Sequence, residues 1–326
     1  MNVCAQLKVD VHLTPADIEA TLASDALIGL TATPKVLPPK WFYDDAGSEL
    51  FDQITRLDEY YPTRCETEIL LEHAGEIARI SAADTLIELG SGTSTKTQIL
   101  LRAFHATRQL CRVVPFDVSE ATLRAASHSI VEEFPGVSVH AVVGDFERHL
   151  SYLPTGGRRM VAFLGSTIGN LDPGARATLL TELRGSLVPG DTLLLGSDLV
   201  KDAERLVRAY DDAAGVTAAF NRNMLMVLNR ELGANFDIST FVHVARWNIE
   251  EERIEMWLRS MVAQQVHLTK IGLDVQFSES EELRTEISTK FLRKGVTAEL
   301  EAAGFGVKRW WTDAAGDFGL SLSVVR

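Results

Sequence analysis

Cysteine is scarce in this chain. Cys4, Cys65 and Cys111 are odd in number and far apart in 326 residues, so no disulfide framework is expected, and no Cys-x-x-Cys pair occurs to hold zinc. The histidines offer no metal site either. His12, His73, His105, His128, His140, His149, His243 and His267 show no His-x-x-x-His or His-x-His spacing, and no Ser-His-Asp arrangement stands out. There is no apolar run long enough to span a bilayer and no basic-then-apolar leader near Met1. Positive charge is in deficit: 32 Lys and Arg against 45 Asp and Glu leave a formal net charge of −13. That balance argues against nucleic acid or an anionic membrane as partner. These absences lead us to expect a cytoplasmic, monomeric protein that acts on a small molecule and needs no metal.

What is present is ordinary globular stock, 46% hydrophobic and 24% charged. The organising stretch is Thr85-Leu86-Ile87-Glu88-Leu89-Gly90-Ser91-Gly92-Thr93-Ser94. Leu86, Ile87 and Leu89 read as a buried strand, Gly90 and Gly92 as a turn that lets a ligand approach the backbone, and Thr93-Ser94 as a helix N-cap. Ile99, Leu100, Ala103 and Phe104 then recur at helical spacing. Strand, glycine turn and helix in this order begin a nucleotide pocket in a parallel α/β sheet, although a lone Gly-x-Gly also occurs in ordinary turns.

The alternation continues downstream. Strands are expected at 111–117, 137–143, 160–164 and 192–195, with helices at 119–134 and 173–187. Gly90, Asp117, Asp145 and Asn170 lie at the ends of four consecutive strands, where ligands of doubly wound sheets sit. The rhythm breaks after Asp198. Residues 199–232 read as helical and 241–277 alternate like antiparallel strands, which suggests an inserted subdomain. A helix near 296–303 and strands at 307–311 and 320–325 then close the sheet with an antiparallel hairpin. The fold expected is therefore α/β: a doubly wound, Rossmann-like sheet over 62–197 and 287–326, plus an α+β substrate-binding domain from 1–61 and 198–286.

A dinucleotide turn would favour a third glycine where Thr95 stands. S-adenosylmethionine has no pyrophosphate and needs only the turn. Asp117 can accept from the ribose hydroxyls, and Asp145 from the adenine amino group, with the Phe146 amide donating to the ring. With Glu88, Gly90 and Gly92, these favour a class I methyltransferase over a nicotinamide-dependent oxidoreductase. A catalytically silent adenosyl-binding module remains a third reading.

Several longer stretches carry a resemblance. They are Pro38-Pro39-Lys40-Trp41-Phe42-Tyr43-Asp44, Glu59-Tyr60-Tyr61-Pro62-Thr63-Arg64, Glu88-Leu89-Gly90-Ser91-Gly92-Thr93, Phe163-Leu164-Gly165-Ser166-Thr167-Ile168-Gly169-Asn170, the run from Tyr210 to Asn221, and Thr285-Glu286-Ile287-Ser288. In these the chain resembles the histidine Nα-methyltransferases of ergothioneine biosynthesis over nearly its whole length. The first dozen residues match nothing. The resemblance implies S-adenosylmethionine as cofactor and three methyl transfers to the α-amine of L-histidine, giving hercynine. It implies Gly90, Lys96, Asp117, Asp145 and Phe146 at the cofactor. It implies Tyr43, Tyr60, Gly165, Asn170, Tyr210, Met256, Glu286 and Ser288 at the substrate, with Tyr43 and Asn170 catalytic. Methylation of another amino acid such as tryptophan on the same scaffold is the alternative within the class. Tyr43 and Asn170 can accept from the amine and orient its lone pair, while Tyr60, Tyr210 and the Asn170 amide can donate to the carboxylate. No Lys or Arg is required there, and an added cation would disfavour a sulfonium and a growing ammonium nearby. Glu286 and Ser288, two apart in a strand-like segment, would read the two imidazole nitrogens.

Overall fold

The computed structural model describes residues 7–92 and 95–326. The expected Thr93-Ser94 cap and Cys4 lie outside the described residues. The chain divides into two compact units, one holding the chain up to Leu13, Pro62–Val200 and Phe291–Arg326, the other Thr14–Tyr61 and Lys201–Lys290.

The first unit is built on an eight-stranded sheet. Its strands lie in the order Leu7–Val11, Ser138–Val143, Arg112–Asp117, Thr85–Leu89, Arg159–Phe163, Thr192–Asp198, Phe318–Val325, Phe305–Thr312. The first six run parallel, and Phe318–Val325 is antiparallel to both neighbours. This is the expected doubly wound, Rossmann-like α/β architecture, closed by an antiparallel hairpin. Every residue of Thr85–Leu89 is buried, as a central parallel strand with both faces covered requires. The chain winds from this strand outward to one side and then returns to build the other. The strand therefore stands at the topological switch point, where the crevice of such sheets opens. One face packs Ile87, Leu89, Val161, Phe163 and Leu195 against Leu179, Leu180 and Leu183 of the helix Pro173–Ser186. Asp172 caps that helix, accepting from the Ala175 N–H, and Pro173 occupies its first turn.

The structure corrects the expected domain bounds: residues 198–200 belong to the first unit, and 287–290, which complete or follow the strand Glu282–Thr289, to the second. Residues 7–11 were assigned to the second domain, but they pair in parallel with Ser138–Val143 as an edge strand of the large sheet. His140 Nε2 lies 2.7 Å from the Asp10 carboxylate across that pairing.

The second unit holds a four-stranded sheet in the order Lys35–Val36, Glu282–Thr289, Arg253–Ser260, Phe241–Asn248. A separate hairpin joins Gln264–Leu268 to Leu273–Phe277. The helix Val216–Leu232 buries Phe220, Met224 and Leu228, which lie four residues apart on one stripe. The Asp212 carboxylate accepts the Val216 and Thr217 N–H groups at 2.9 and 2.7 Å. It thereby separates this helix from Ala203–Tyr210. No helix among the described residues is long and apolar enough to cross a membrane.

Candidate active site

In the first unit the predicted cofactor residues gather at the carboxyl ends of adjacent strands. Gly90 and Gly92 adopt φ of +69° and +46°, conformations that side chains resist, and no described atom lies within 4 Å of where a Cβ would stand. The turn is pinned from behind, because the Gly90 N–H donates to the Phe116 carbonyl at 2.8 Å. Asp117 closes it: Oδ2 accepts the Gly92 N–H at 2.9 Å and Oδ1 the Ser119 N–H at 3.0 Å. The Val118 N–H also bonds this carboxylate, and three donors leave acceptor capacity for a ligand hydroxyl. Burial raises the Asp117 carboxyl above its usual range, opposed by those N–H donors.

Asp145 is buried on the next strand end; its Oδ1 accepts the Glu147 N–H at 2.9 Å, and its own N–H donates to His149 Nδ1 at 3.0 Å. Phe146 follows, its ring edge-on to Phe163 at 5.3 Å. Glu88 lies under the turn. Its Oε2 is buried with no hydrogen-bond partner among the described residues, and burial pushes the carboxyl up to about 8 against the Thr97 hydroxyl and the pull of Lys96.

Lys96 and Gly165 meet through a residue that the sequence reading missed. Glu66 is 0% exposed, forms an ion pair with Lys96, and accepts the Gly165 N–H with both oxygens at 2.9 Å. The signal was periodic. Cys65, Ile69 and Leu70 are the buried stripe of the helix Pro62–Ser81, and Glu66 belongs to that stripe rather than to the solvated acids Glu68 and Glu72. Asn170 ends a short 3-10 turn, Thr167–Asn170, that begins after Ser166 in the left-handed region at φ +57°. Ser166 is held there because its hydroxyl accepts the Asp198 N–H at 2.9 Å.

The second unit collects the remaining predicted residues. Tyr43 packs edge-on to Phe51 and Phe220 at 5.5 and 5.6 Å. Tyr60 and Tyr210 are buried with their rings crossed at 6.2 Å. Met256 lies directly opposite Glu286 in the antiparallel register, and Ile254 opposite Ser288, so Glu286 and Ser288 share one face with Met256. The hydroxyls of Tyr210 and Ser288 are 2.8 Å apart. Behind Tyr210, its carbonyl accepts from His243 Nε2 at 2.8 Å, and His243 Nδ1 accepts from Asn221. Burial holds the His243 imidazole below its usual range, consistent with the single proton this bonding assigns it.

A cation stands among these residues although none is required for the chemistry expected of them. Lys290, 1% exposed, donates to both the Tyr210 and Ser288 hydroxyls at 2.8 Å. Glu286 is 9% exposed, and burial pushes its carboxyl up to about 7 although Lys290 pulls it down. For metals, the described residues bring Cys65, Asp313 and Asp317 together, all buried. Asp313 there accepts the Phe318 and Ala315 N–H groups of its own turn at 2.7 and 3.1 Å.

A family model described as "Histidine-specific methyltransferase, SAM-dependent" matches residues 22–325. The chain is 60% identical to the histidine N-alpha-methyltransferase of Mycolicibacterium smegmatis, over 96% of this chain and 98% of that protein. It is 58% identical to the protein of the same name from Mycobacterium tuberculosis, over 98% and 99%. Ergothioneine biosynthesis protein 1 of Schizosaccharomyces pombe shares 34% identity across 61% of this chain and 27% of its own length.

Proposed function

The chain belongs to the histidine-specific, S-adenosylmethionine-dependent methyltransferase family, and from that premise we propose how its residues perform the reaction and that it runs three times on one amine. The protein is an S-adenosylmethionine-dependent histidine Nα-methyltransferase, catalysing the first step of ergothioneine biosynthesis. The cofactor supplies an activated methyl group on a sulfonium. The first unit fits such a ligand: an open backbone at Gly90 and Gly92, a buried Glu88 oxygen without a partner, and acceptors at Asp117 and Asp145. We assign Gly90, Asp117, Asp145 and Phe146 to the adenosyl moiety. Lys96 is assigned to the same site, where its ion pair with Glu66 leaves it little net charge to set against a sulfonium.

Histidine must present a neutral α-amine for in-line displacement. An α-amine titrates near ~8, so orientation matters more than a strong base. Asn170 and Tyr43 are proposed to accept from the amine and hold its lone pair in line. Tyr60 is proposed to donate to the substrate carboxylate and the faces of Tyr60 and Tyr210 to support the growing ammonium, the Tyr210 hydroxyl being turned to Ser288 instead of the carboxylate. Glu286 and Ser288 are proposed to receive the imidazole beside Met256, and Gly165 is assigned to the substrate site. Trimethylation follows if monomethyl and dimethyl products keep these carboxylate and imidazole contacts and remain bound.

The observation that carries this assignment is the buried polar face that Glu286 and Ser288 share with Met256, where the Tyr210 hydroxyl and the Lys290 ammonium meet Ser288. A buried acceptor and donor left unpaired by a phenyl or indole ring would reject it. Incubation of the protein with S-adenosylmethionine and each amino acid in turn, read by mass spectrometry, tests the proposal. Addition of three methyl groups to histidine alone is expected. Accumulation of the monomethyl product, or equal turnover of tryptophan, would overturn it. We further propose that the enzyme acts in the cytoplasm as a monomer.

A further inference from the structure

Three polar atoms of the second unit form a closed triangle. Lys290 Nζ lies 2.8 Å from both Tyr210 Oη and Ser288 Oγ, and the two oxygens are 2.8 Å apart. An ammonium has three protons and no lone pair, so it is the donor on both of its edges. The oxygen–oxygen edge holds one hydroxyl proton, and the second hydroxyl proton must therefore point away from the triangle. Tyr210 is the more acidic hydroxyl, and Lys290 also lies 4.5 Å over its ring, so Tyr210 supplies the shared proton. Ser288 Oγ then accepts twice, and its own proton is directed outward.

We infer that Lys290 is the positioning residue of the imidazole site: by donating to both hydroxyls it fixes Ser288 as a donor, and its charge supports Glu286 as an acceptor. The inference rests on the reading that Glu286 and Ser288 receive the ring. A donor and an acceptor of fixed polarity match one edge-to-edge placement of a neutral imidazole and mismatch its reversal. Lys290 also answers an electrostatic difficulty. A lone buried cation would oppose the ammonium that grows on the substrate, whereas one beside Glu286 adds little net charge. Its placement is local, since the Lys290 N–H donates to the Glu252 carbonyl at 2.7 Å. Lys290 is the charged group that acts on the Glu286 carboxyl, which Met256 faces from the neighbouring strand.

The test compares Lys290→Met and Lys290→Gln with the unaltered enzyme. Three quantities are read: histidine KM, the pH profile of kcat/KM, and calorimetric affinity for S-adenosylhomocysteine. Lys290→Met is expected to raise histidine KM by about 10- to 100-fold while cofactor-product affinity holds. The acid limb of the profile should move to higher pH, because the carboxylate has lost its supporting charge. Lys290→Gln, which restores donors without charge, should recover part of the KM and none of the limb shift. In a Glu286→Gln background Lys290→Met should leave the remaining limb in place. An unchanged KM and limb in Lys290→Met, or the same limb shift without the Glu286 carboxyl, overturns the inference. If Glu286→Gln also leaves histidine KM unchanged, the imidazole reading itself has failed. If only Lys290→Met is silent, that reading stands and this one falls.

Discussion

Glu286→Gln should make the protein more stable at neutral and alkaline pH while weakening its hold on histidine. The Glu286 carboxyl is raised from 4.5 to about 7, chiefly by burial, with Lys290 opposing. In the unfolded chain it loses its proton near the ordinary value. Between these two values the folded protein holds more protons than the unfolded, so stability falls as pH rises through the window and is constant above it. The full excursion is worth about 3 kcal/mol at one pKa unit per ~1.4 kcal/mol. Glutamine matches the neutral acid in shape and cannot titrate. Below the window the two proteins should melt together. Above pH ~7 the variant should melt higher by on the order of 5 °C, given the usual scaling for chains of this size. Thermal unfolding of the ligand-free proteins across this pH range measures the difference and cancels Glu88, which shifts in the same direction in both. Histidine adds a second readout. An imidazole N–H facing the carboxylate favours its ionised form, so binding near pH 7 should expel roughly half a proton more from the unaltered enzyme than from the variant. Calorimetry in buffers of different ionisation enthalpy counts that proton. Parallel melting curves, or equal proton release, would refute the argument that a buried, titrating Glu286 faces the ring.

Other expectations concern the first unit. Asp117→Ala and Asp145→Ala each remove an acceptor for the cofactor, and calorimetry with S-adenosylhomocysteine should show a loss of about 1.5–3 kcal/mol apiece; unchanged affinity in both would misplace the pocket. Asn170→Ala should raise histidine KM while leaving cofactor affinity nearly intact, and an equal loss of both would make Asn170 a cofactor residue instead. Glu66→Ala strips the partner from Lys96 and the acceptor from the Gly165 N–H. Breaking a buried pair in this way costs about 3–5 kcal/mol, so the thermal midpoint should drop by several degrees; a melting curve that does not move would show that solvent replaces the carboxylate.

The parallel sheet was legible because its central strands cannot hide. Thr85–Leu89 and Arg159–Phe163 are buried at every position, so they appear as short apolar runs that stop at glycine or a polar turn. Asp117 and Asp145 follow directly from knowing where such strands end. The Leu7–Val11 strand was illegible for the opposite reason. It is an edge strand of intermediate exposure carrying Lys8 and Asp10, and its hydrogen-bonding partner strand lies more than a hundred residues downstream. Five residues of mixed exposure carry no period long enough to distinguish a strand from a tail. Pairing at that sequence distance leaves no local mark.

Lys290 is a different case, because the rule that would have found it was already in use. Glu286 and Ser288 were placed together on the grounds that side chains two apart share a strand face. The next position in that series is 290, one residue beyond the strand end at Thr289. In sequence, Lys290 stands with Arg293 and Lys294, a grouping that resembles a solvated basic cluster, which is what lysine usually signifies. Burial supplies the missing constraint. A carboxylate that turns inward on a strand lined by Met256 needs a compensating charge or must stay protonated. The compensating group must lie within reach of the same face. Extending the period by one step meets both conditions with a single side chain, and the two hydroxyls that this lysine contacts are then the groups whose protons it arranges.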